Sequence, residues 1–356
     1  MKTLCLFGIY DPAYARTRVL TAGFTAHDWR IIECRADPRR FRGLSKYVEL
    51  YRQYRRIRNE PIDLALVAFP GHTVVWLARF LFGRAIIFDA FLSLYDSNVL
   101  DRKVHGPSSL AALLDWFWDW SSIRLAHCVL LDTDQHIEYF VRTFGIARQR
   151  CIRVWVGTDT AVFYPRPSET PDFTISFHGT FIPLQGIAYI LDAAHLLKDE
   201  PISFNLIGKG QEYTAMRQKA ERLGLTKVRF VDPVPYEQLP ELISSAQLCL
   251  GIFGDTKKAP RVIPNKVYEC MALGKPIITA DTPAIRELQV YGALPLVLVP
   301  PADASALADA ILALHTDPAH RARLGESART FSSTHLSPKH IVAELLGNLP
   351  PVVWRR

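Results

Sequence analysis

No stretch of this 356-residue chain stays apolar for long. A helix that crosses a bilayer needs roughly 18–20 consecutive apolar residues. The best candidate, "RFLFGRAIIFDAFLSL", is interrupted by Arg79, Arg84 and Asp89. The opening "MKTLCLFGIYDP" lacks a small-residue cleavage site behind a signal core and reads as a first strand. Cysteine is scarce and scattered: Cys5, Cys34, Cys128, Cys151, Cys249 and Cys270 show no CxxC spacing. That argues against zinc and against a disulfide framework. Cysteines inside apolar runs act as small hydrophobes, so a reducing cytosol is the expected setting. Also missing are a recognised nucleic-acid module and the third glycine of a dinucleotide fingerprint, so no nucleic-acid partner is expected.

What is present is globular. Hydrophobic residues make up 49% and charged residues 22%, and the length calls for two domains. "TLCLFGI", "WRIIECR", "DLALVAF", "AIIFDAF", "HCVLLDT" and "RCIRVWVG" read as buried parallel strands with helical periods between them. A second series follows: "FTISFHG", "ISFNLIG", "KVRFVDP", "LCLGIF", "PIITAD" and "LPLVLVP". Strand–helix alternation predicts an α/β chain of two Rossmann-like, doubly wound domains, facing one another across a cleft. The expected divisions are 1–160, a proline-bearing linker at 161–173, a second domain at 174–336, and a final helix at 337–356 packing back on the first. Ligands of such sheets gather at the carboxyl ends of the strands.

The net charge of +7 is unevenly spread. Residues 35–58 are dense in Lys and Arg, with only Asp37 and Glu49 acidic, and carry Phe41, Tyr47, Tyr51 and Tyr54. Such a helix either lies on an anionic membrane surface or packs its Tyr and Leu stripe on its own domain.

Three segments carry the chemistry of the second half. "ISFNLIGKGQEY" puts Gly208, Lys209 and Gly210 between a strand and a helix, where backbone N–H groups approach a polar ligand; a plain turn is the alternative. In "HGTFIPLQGI", Gly179 can let the backbone reach a diphosphate or acceptor. His178 before it either touches donor or acceptor or is structural. "RVIPNKVYECMALGKPIITAD" sets Arg261 and Lys266, suited to a diphosphate, beside Glu269, whose carboxylate can accept two ribose hydroxyls. The alternative is an exposed intrahelical Lys266–Glu269 pair. Glu269 is expected at the helix start, with a small face at Ala272 and Gly274.

In the first half, "GIYDPAYARTRVL" ends a strand at Gly8 and places Arg16 near a helix start, either for an anionic acceptor or as a solvent arginine. "IIFDAFLSLYDSNVLDRK" offers Asp89 at a strand end, then Ser93, Asp96, Asp101, Arg102 and Lys103 in a polar loop. Asp89 either orders an acceptor hydroxyl and stabilises charge on the sugar, or caps the next helix. The "DTD" at Asp132–Asp134 reads as a helix N-cap through Thr133 or Asp134, not a metal site.

Taken in order, "GTF…G", "LIGKGQEY", "VRFVDPVPYEQLPELISSAQLCLGIF" and "NKVYECMALGKPIIT" resemble the donor domain of a family-four retaining glycosyltransferase of GT-B fold. The resemblance covers about 174–346, and the first half more loosely. It implies a hexosyltransferase with a UDP- or GDP-linked sugar donor in the second domain and an acceptor in the first. By the family pattern Glu269 holds the ribose, Gly208 and the segment near Val234 meet the base, and Gly8 lies beside the reacting sugar. The chain departs from that pattern in several places. Arg261 stands where the first glutamate of the Glu-x7-Glu motif belongs, with Asp255 as a candidate substitute. Thr180 and Gln185 replace an arginine and a lysine, and Asp89 stands where a histidine is common.

The expected assignment is therefore as follows. Asp89, Arg261 and Lys266 are catalytic. Gly8, Gly179, Thr180, Gly208, Lys209, Val234, Asp255 and Glu269 serve the donor, with the diphosphate charge moved onto Arg261 and Lys266. Arg16, Asp89, Ser93, Asp96 and His178 serve a saccharide or lipid-linked acceptor. No cofactor or obligatory metal is expected, and the setting is cytoplasmic, at the inner face of the membrane through residues 35–58. The alternatives are a GT-B-fold nucleotide-sugar epimerase and a non-catalytic nucleotide-binding or NAD-dependent Rossmann protein.

Overall fold

The computed structural model describes residues 1–83, 85–167 and 172–354. The chain divides into two compact units, Met1–Asp159 with Ser337–Arg356, and Thr160–Leu336.

The first unit holds β1 (Thr3–Gly8), β2 (Arg30–Arg35), β3 (Leu64–Val67), β4 (Ile86–Phe91), β5 (Cys128–Leu131) and β6 (Cys151–Arg153). They form one parallel sheet in the order β2-β1-β3-β4-β5-β6. The direction of winding reverses between β1 and β3. A parallel sheet is covered on both faces, which is why β1 is buried along its whole length. From β2 onward each right-handed crossover steps the same way, so helices Ser45–Ile57, Val75–Phe82 and Leu110–Leu125 share one face. Tyr54 ties the first two together by donating to the Leu81 carbonyl at 2.8 Å. The other face carries helix Ala15–Thr25, against which the last helix, Pro338–Asn348, packs. The approach is close: a Cβ at Gly23 would lie 2.3 Å from Val342.

The second unit holds β7 (Phe173–His178), β8 (Ile202–Ile207), β9 (Val228–Val231), β10 (Leu248–Leu250), β11 (Ile277–Ala280) and β12 (Val297–Val299). Their order is β12-β11-β10-β7-β8-β9, again all parallel, and the winding reverses between β7 and β10. Phe177, Ile190, Leu206, Leu250, Ile278 and Ile311 form the centre of its core.

Some expectations are corrected here. The helix of the Glu269 segment begins at Asn265 and ends at Ala272, so Glu269 sits in its second turn, and Gly274 lies beyond it at φ 71°. The stretch expected to be a polar loop contains a wide π-type turn, Asp96–Asp101, with both terminal aspartates buried; Arg102 and Lys103 are exposed. Residues from Thr160 cluster with the second unit, where Phe163 is buried with its ring 5.1 Å from Tyr236. Residues 168–171 of the expected linker, and Arg84, lie outside the described residues. All six cysteines are buried thiols. Among the described residues no helix is long and apolar enough to cross a membrane.

Candidate functional site

The chemistry of the second unit converges where its winding reverses. β7 ends at His178 and Gly179, β10 is followed by Gly251, and helix Asn265–Ala272 sends Lys266 and Glu269 to the same place. The Lys266 amine lies 3.4 Å from the Gly251 carbonyl and 3.5 Å from the centroid of the Phe177 ring, and donates to Gln185 Oε1. It is only 4% exposed. Burial pushes this lysine well below its ordinary pKa, while Cys270 and Glu269 pull the other way. Glu269 is also buried, with Oε2 2.8 Å from His178 Nε2. The exposed Lys266–Glu269 pair is thereby overturned. Gly179 adopts φ 150°, and a Cβ there would lie 3.1 Å from the lysine nitrogen.

The glycines at 208 and 210 have a packing reason. A Cβ at Gly208 would lie 2.0 Å from the Gly179 carbonyl, and one at Gly210 2.4 Å from that of Phe181. The loops after β7 and β8 are zipped together. Phe181 N–H donates to the Lys209 carbonyl, and Glu212 N–H to the Phe181 carbonyl, each at 3.0 Å. Around this centre, Thr180 and Asp255 are exposed, Val234 is half-buried, and Lys209 is exposed and paired with Asp232 at 3.0 Å. Arg261 is half-buried in the short turn Ala259–Arg261.

In the first unit Gly8 closes β1 at φ 146°, where an added Cβ would meet the Ala68 carbonyl at an ordinary 3.5 Å. Arg16 is neither a solvent arginine nor an open anion site. Its guanidinium is buried against Asp89, with Nη2 2.8 Å from Oδ1 and Nε 3.0 Å from both oxygens, and it donates to the Val154 carbonyl at 2.7 Å. Asp89 therefore does not cap a helix. Burial pushes its carboxyl upward, and Arg16 pulls against that. Removing one partner of such a pair leaves a buried charge uncompensated, which costs about 3–5 kcal/mol. The strand bulges between Asp89 and Phe91, and Phe91 is held at φ 60° with its ring 5.0 Å from the guanidinium. A bulky residue there is strained, and such strain collects at functional sites.

Ser93 and Asp96 are buried rather than open to a ligand. Ser93 donates to Asp119 at 2.6 Å and accepts from Asp96 N–H at 2.9 Å. Asp119 also accepts from the N–H groups of Leu94 and Tyr95, and His72 Nε2 lies 3.4 Å from its other oxygen. Burial pushes Asp119 up to about 7 and His72 down to about 4. Neither residue stood out in the sequence. The available signal was an acid on the inward side of the aromatic helix "LAALLDWFWDWSSIRL". In the "DTD" segment Thr133 is the cap, accepting from His136 N–H at 3.0 Å. Asp132 pairs with His136, and Asp134 with Arg148 and Arg153.

The family model for glycosyl transferases group 1 matches residues 172–317, most of the second unit. This match, with the relatives that follow, supports a likeness to the family-four type of glycosyltransferase. It is 25% identical over 189 residues to the MMP alpha-(1->4)-mannosyltransferase of Mycolicibacterium hassiacum, covering 52% of this chain and 44% of that one. It is 25% identical over 228 residues to the D-inositol 3-phosphate glycosyltransferase of Kribbella flavida, covering 58% and 52%. The chain thus spans about half the length of these curated relatives. The crystal structure of Anabaena HepE in complex with UDP-glucose superposes with a TM-score of 0.73 at 19% identity, covering 98% of this chain and 100% of that one. This likeness shows the GT-B fold. His178, Gly179, Gln185, Lys266 and Glu269 are the residues gathered at the β7–β10 reversal. Among the described residues, no group of three or more His, Cys, Asp or Glu side chains is placed to hold a metal ion.

Proposed function

We propose that the chain transfers a hexosyl residue, with retention, from a UDP-linked donor to an acceptor hydroxyl. The bond between the sugar C1 and the diphosphate breaks, a bond from C1 to the acceptor oxygen forms, and the acceptor hydroxyl loses its proton. The observation that carries the reading is the burial of Lys266 and Glu269 together at the reversal of the second sheet, beside Gly179. Glu269, steadied by His178, accepts the ribose hydroxyls. An arriving diphosphate offsets the burial of Lys266 and restores its charge, and Arg261 shares the load in place of a metal. UDP is favoured because HepE, of the same fold, is described in complex with UDP-glucose.

On the acceptor side, Arg16 and Asp89 act by holding the bulged end of β4, not by meeting the acceptor as free charges. Ser93 and Asp96 shape the turn that follows. The acceptor is a lipid-linked saccharide, reached at the cytoplasmic face of the membrane with contact through residues 35–58.

Thermal unfolding with UDP, GDP, ADP, TDP and NAD tests this. UDP at a hundred times its Kd adds about 2.7 kcal/mol of stability, a rise of several degrees, which Glu269→Ala should abolish. Stabilisation by NAD alone, or by nothing, sinks the donor site. Unchanged UDP affinity in both Arg261→Ala and Lys266→Ala sinks the relocated diphosphate charge.

A further inference from the structure

We infer that the outer face of helix Leu110–Leu125, with its neighbours Val75–Phe82 and Ser45–Ile57, is a docking surface for an anionic lipid bilayer. The inference deepens the contact proposed for residues 35–58, and rests on that reading for its cationic part only.

Soluble helices turn their apolar stripe inward. Helix Leu110–Leu125 also has one facing outward. Leu110, Leu113, Leu114 and Phe117 follow the i, i+3, i+4, i+7 pattern of a single helical face, and all four are exposed, Leu110 by 73% and Leu113 by 62%. The adjoining helix Val75–Phe82 adds Trp76 and Phe80, one turn apart, the latter 79% exposed. Trp76 meets Tyr47 at 5.9 Å, which joins this surface to helix Ser45–Ile57. That third helix buries Leu50 and packs Tyr47, Tyr54 and Ile57 on the core, yet presents Leu44, Val48 and Tyr51 to solvent. An exposed apolar surface spread over three adjacent helices marks an interaction site. An open groove of about 560 Å³, lined by Tyr95, Pro107, Leu110, Leu113 and Trp116 among others, adjoins it.

The charges select the occupant. The acids of these helices are withdrawn from solvent: Glu49 and Asp115 side chains are each 14% exposed, and Asp119 is buried. The cations are outside, with Arg52, Arg55, Arg56 and Arg58 exposed on the third helix and Arg39, Arg40 and Arg42 just before it. Apolar side chains flanked by cations, with acids turned away, fit a negatively charged lipid surface. A second copy of the chain would bring the same cations against themselves.

The test is co-sedimentation with vesicles of phosphatidylcholine, alone or mixed with phosphatidylglycerol. Wild type should partition onto the mixed vesicles, less so at high salt. Leu113→Gln with Phe117→Gln should keep the wild-type melting temperature and UDP response yet lose binding by roughly tenfold or more. Arg52→Glu with Arg55→Glu should lose it only where phosphatidylglycerol is present. Equal binding by the Leu113/Phe117 variant overturns the docking face. So does a wild-type dimer in light scattering that the same variant dissociates. A wild type that sediments with vesicles but shows no UDP response counts against the transferase reading alone.

Discussion

At the residue scale, the two side chains that matter most in the second unit find their partners far away in the chain. Gln185 reaches Lys266 across 81 residues, and His178 reaches Glu269 across 91. The sequence names the lysine and the carboxylate, but burial lowers the lysine's pKa and the fold decides which groups hold both. In the first unit, His72 and Asp119 stand in no recognisable motif, and only the fold brings them together. Their titrations oppose each other. Burial lowers His72 from 6.5 to about 4, so its stabilising contribution is complete above 6.5 and is lost as pH falls through about 4. Burial raises Asp119 from 3.8 to about 7, so its contribution is complete below 3.8 and is lost as pH rises through about 7. Between those limits the two slopes offset. His72→Phe removes the first, so stability should fall more steeply from pH 4.5 to 7 than in wild type, by about 3 kcal/mol. Urea unfolding at the two pH values measures it, and parallel profiles for the two proteins would refute it.

At the scale of elements, each apolar run read from the sequence contains a strand, because a parallel sheet buried on both faces demands continuous apolar residues. Boundaries were less legible. Helix Asn265–Ala272 starts with a Pro264–Asn265 step and no side-chain cap, so nothing local marked Glu269 as a second-turn residue. The glycines of "GKG" were legible as turn residues, but the loop that forbids a side chain there comes from β7. Gly208→Ala should therefore destabilise by at least about 3 kcal/mol, since the Gly179 backbone has to move. Gly224→Ala is the control: its φ is 65° with open space around it, so the change should cost only about 1–2 kcal/mol. Thermal unfolding of the two variants checks the ordering, and equal losses would mean that the zipped loops carry no packing demand.

At the scale of the whole molecule, helix Pro338–Asn348 closes the first unit although it is last in the chain. Its buried Ile341, Val342 and Leu345 lie on the side of the sheet that carries helix Ala15–Thr25. Deleting residues 337–356 should lower the melting temperature of the first unit by several degrees or more, through loss of apolar burial. The UDP response should remain, because its residues lie in the second unit. A truncated protein with an unchanged melting profile would show that this helix adds nothing to the first core. The sequence by itself determined the α/β class, the two series of strands, and the Lys266–Glu269 segment, because hydrophobic periodicity and short motifs are local. Strand order, the reversal between β7 and β10, the Arg16–Asp89 pair and the outward stripe at Leu110 to Phe117 were decided only by tertiary structure. Each depends on which distant backbone lies alongside, and no local pattern encodes that.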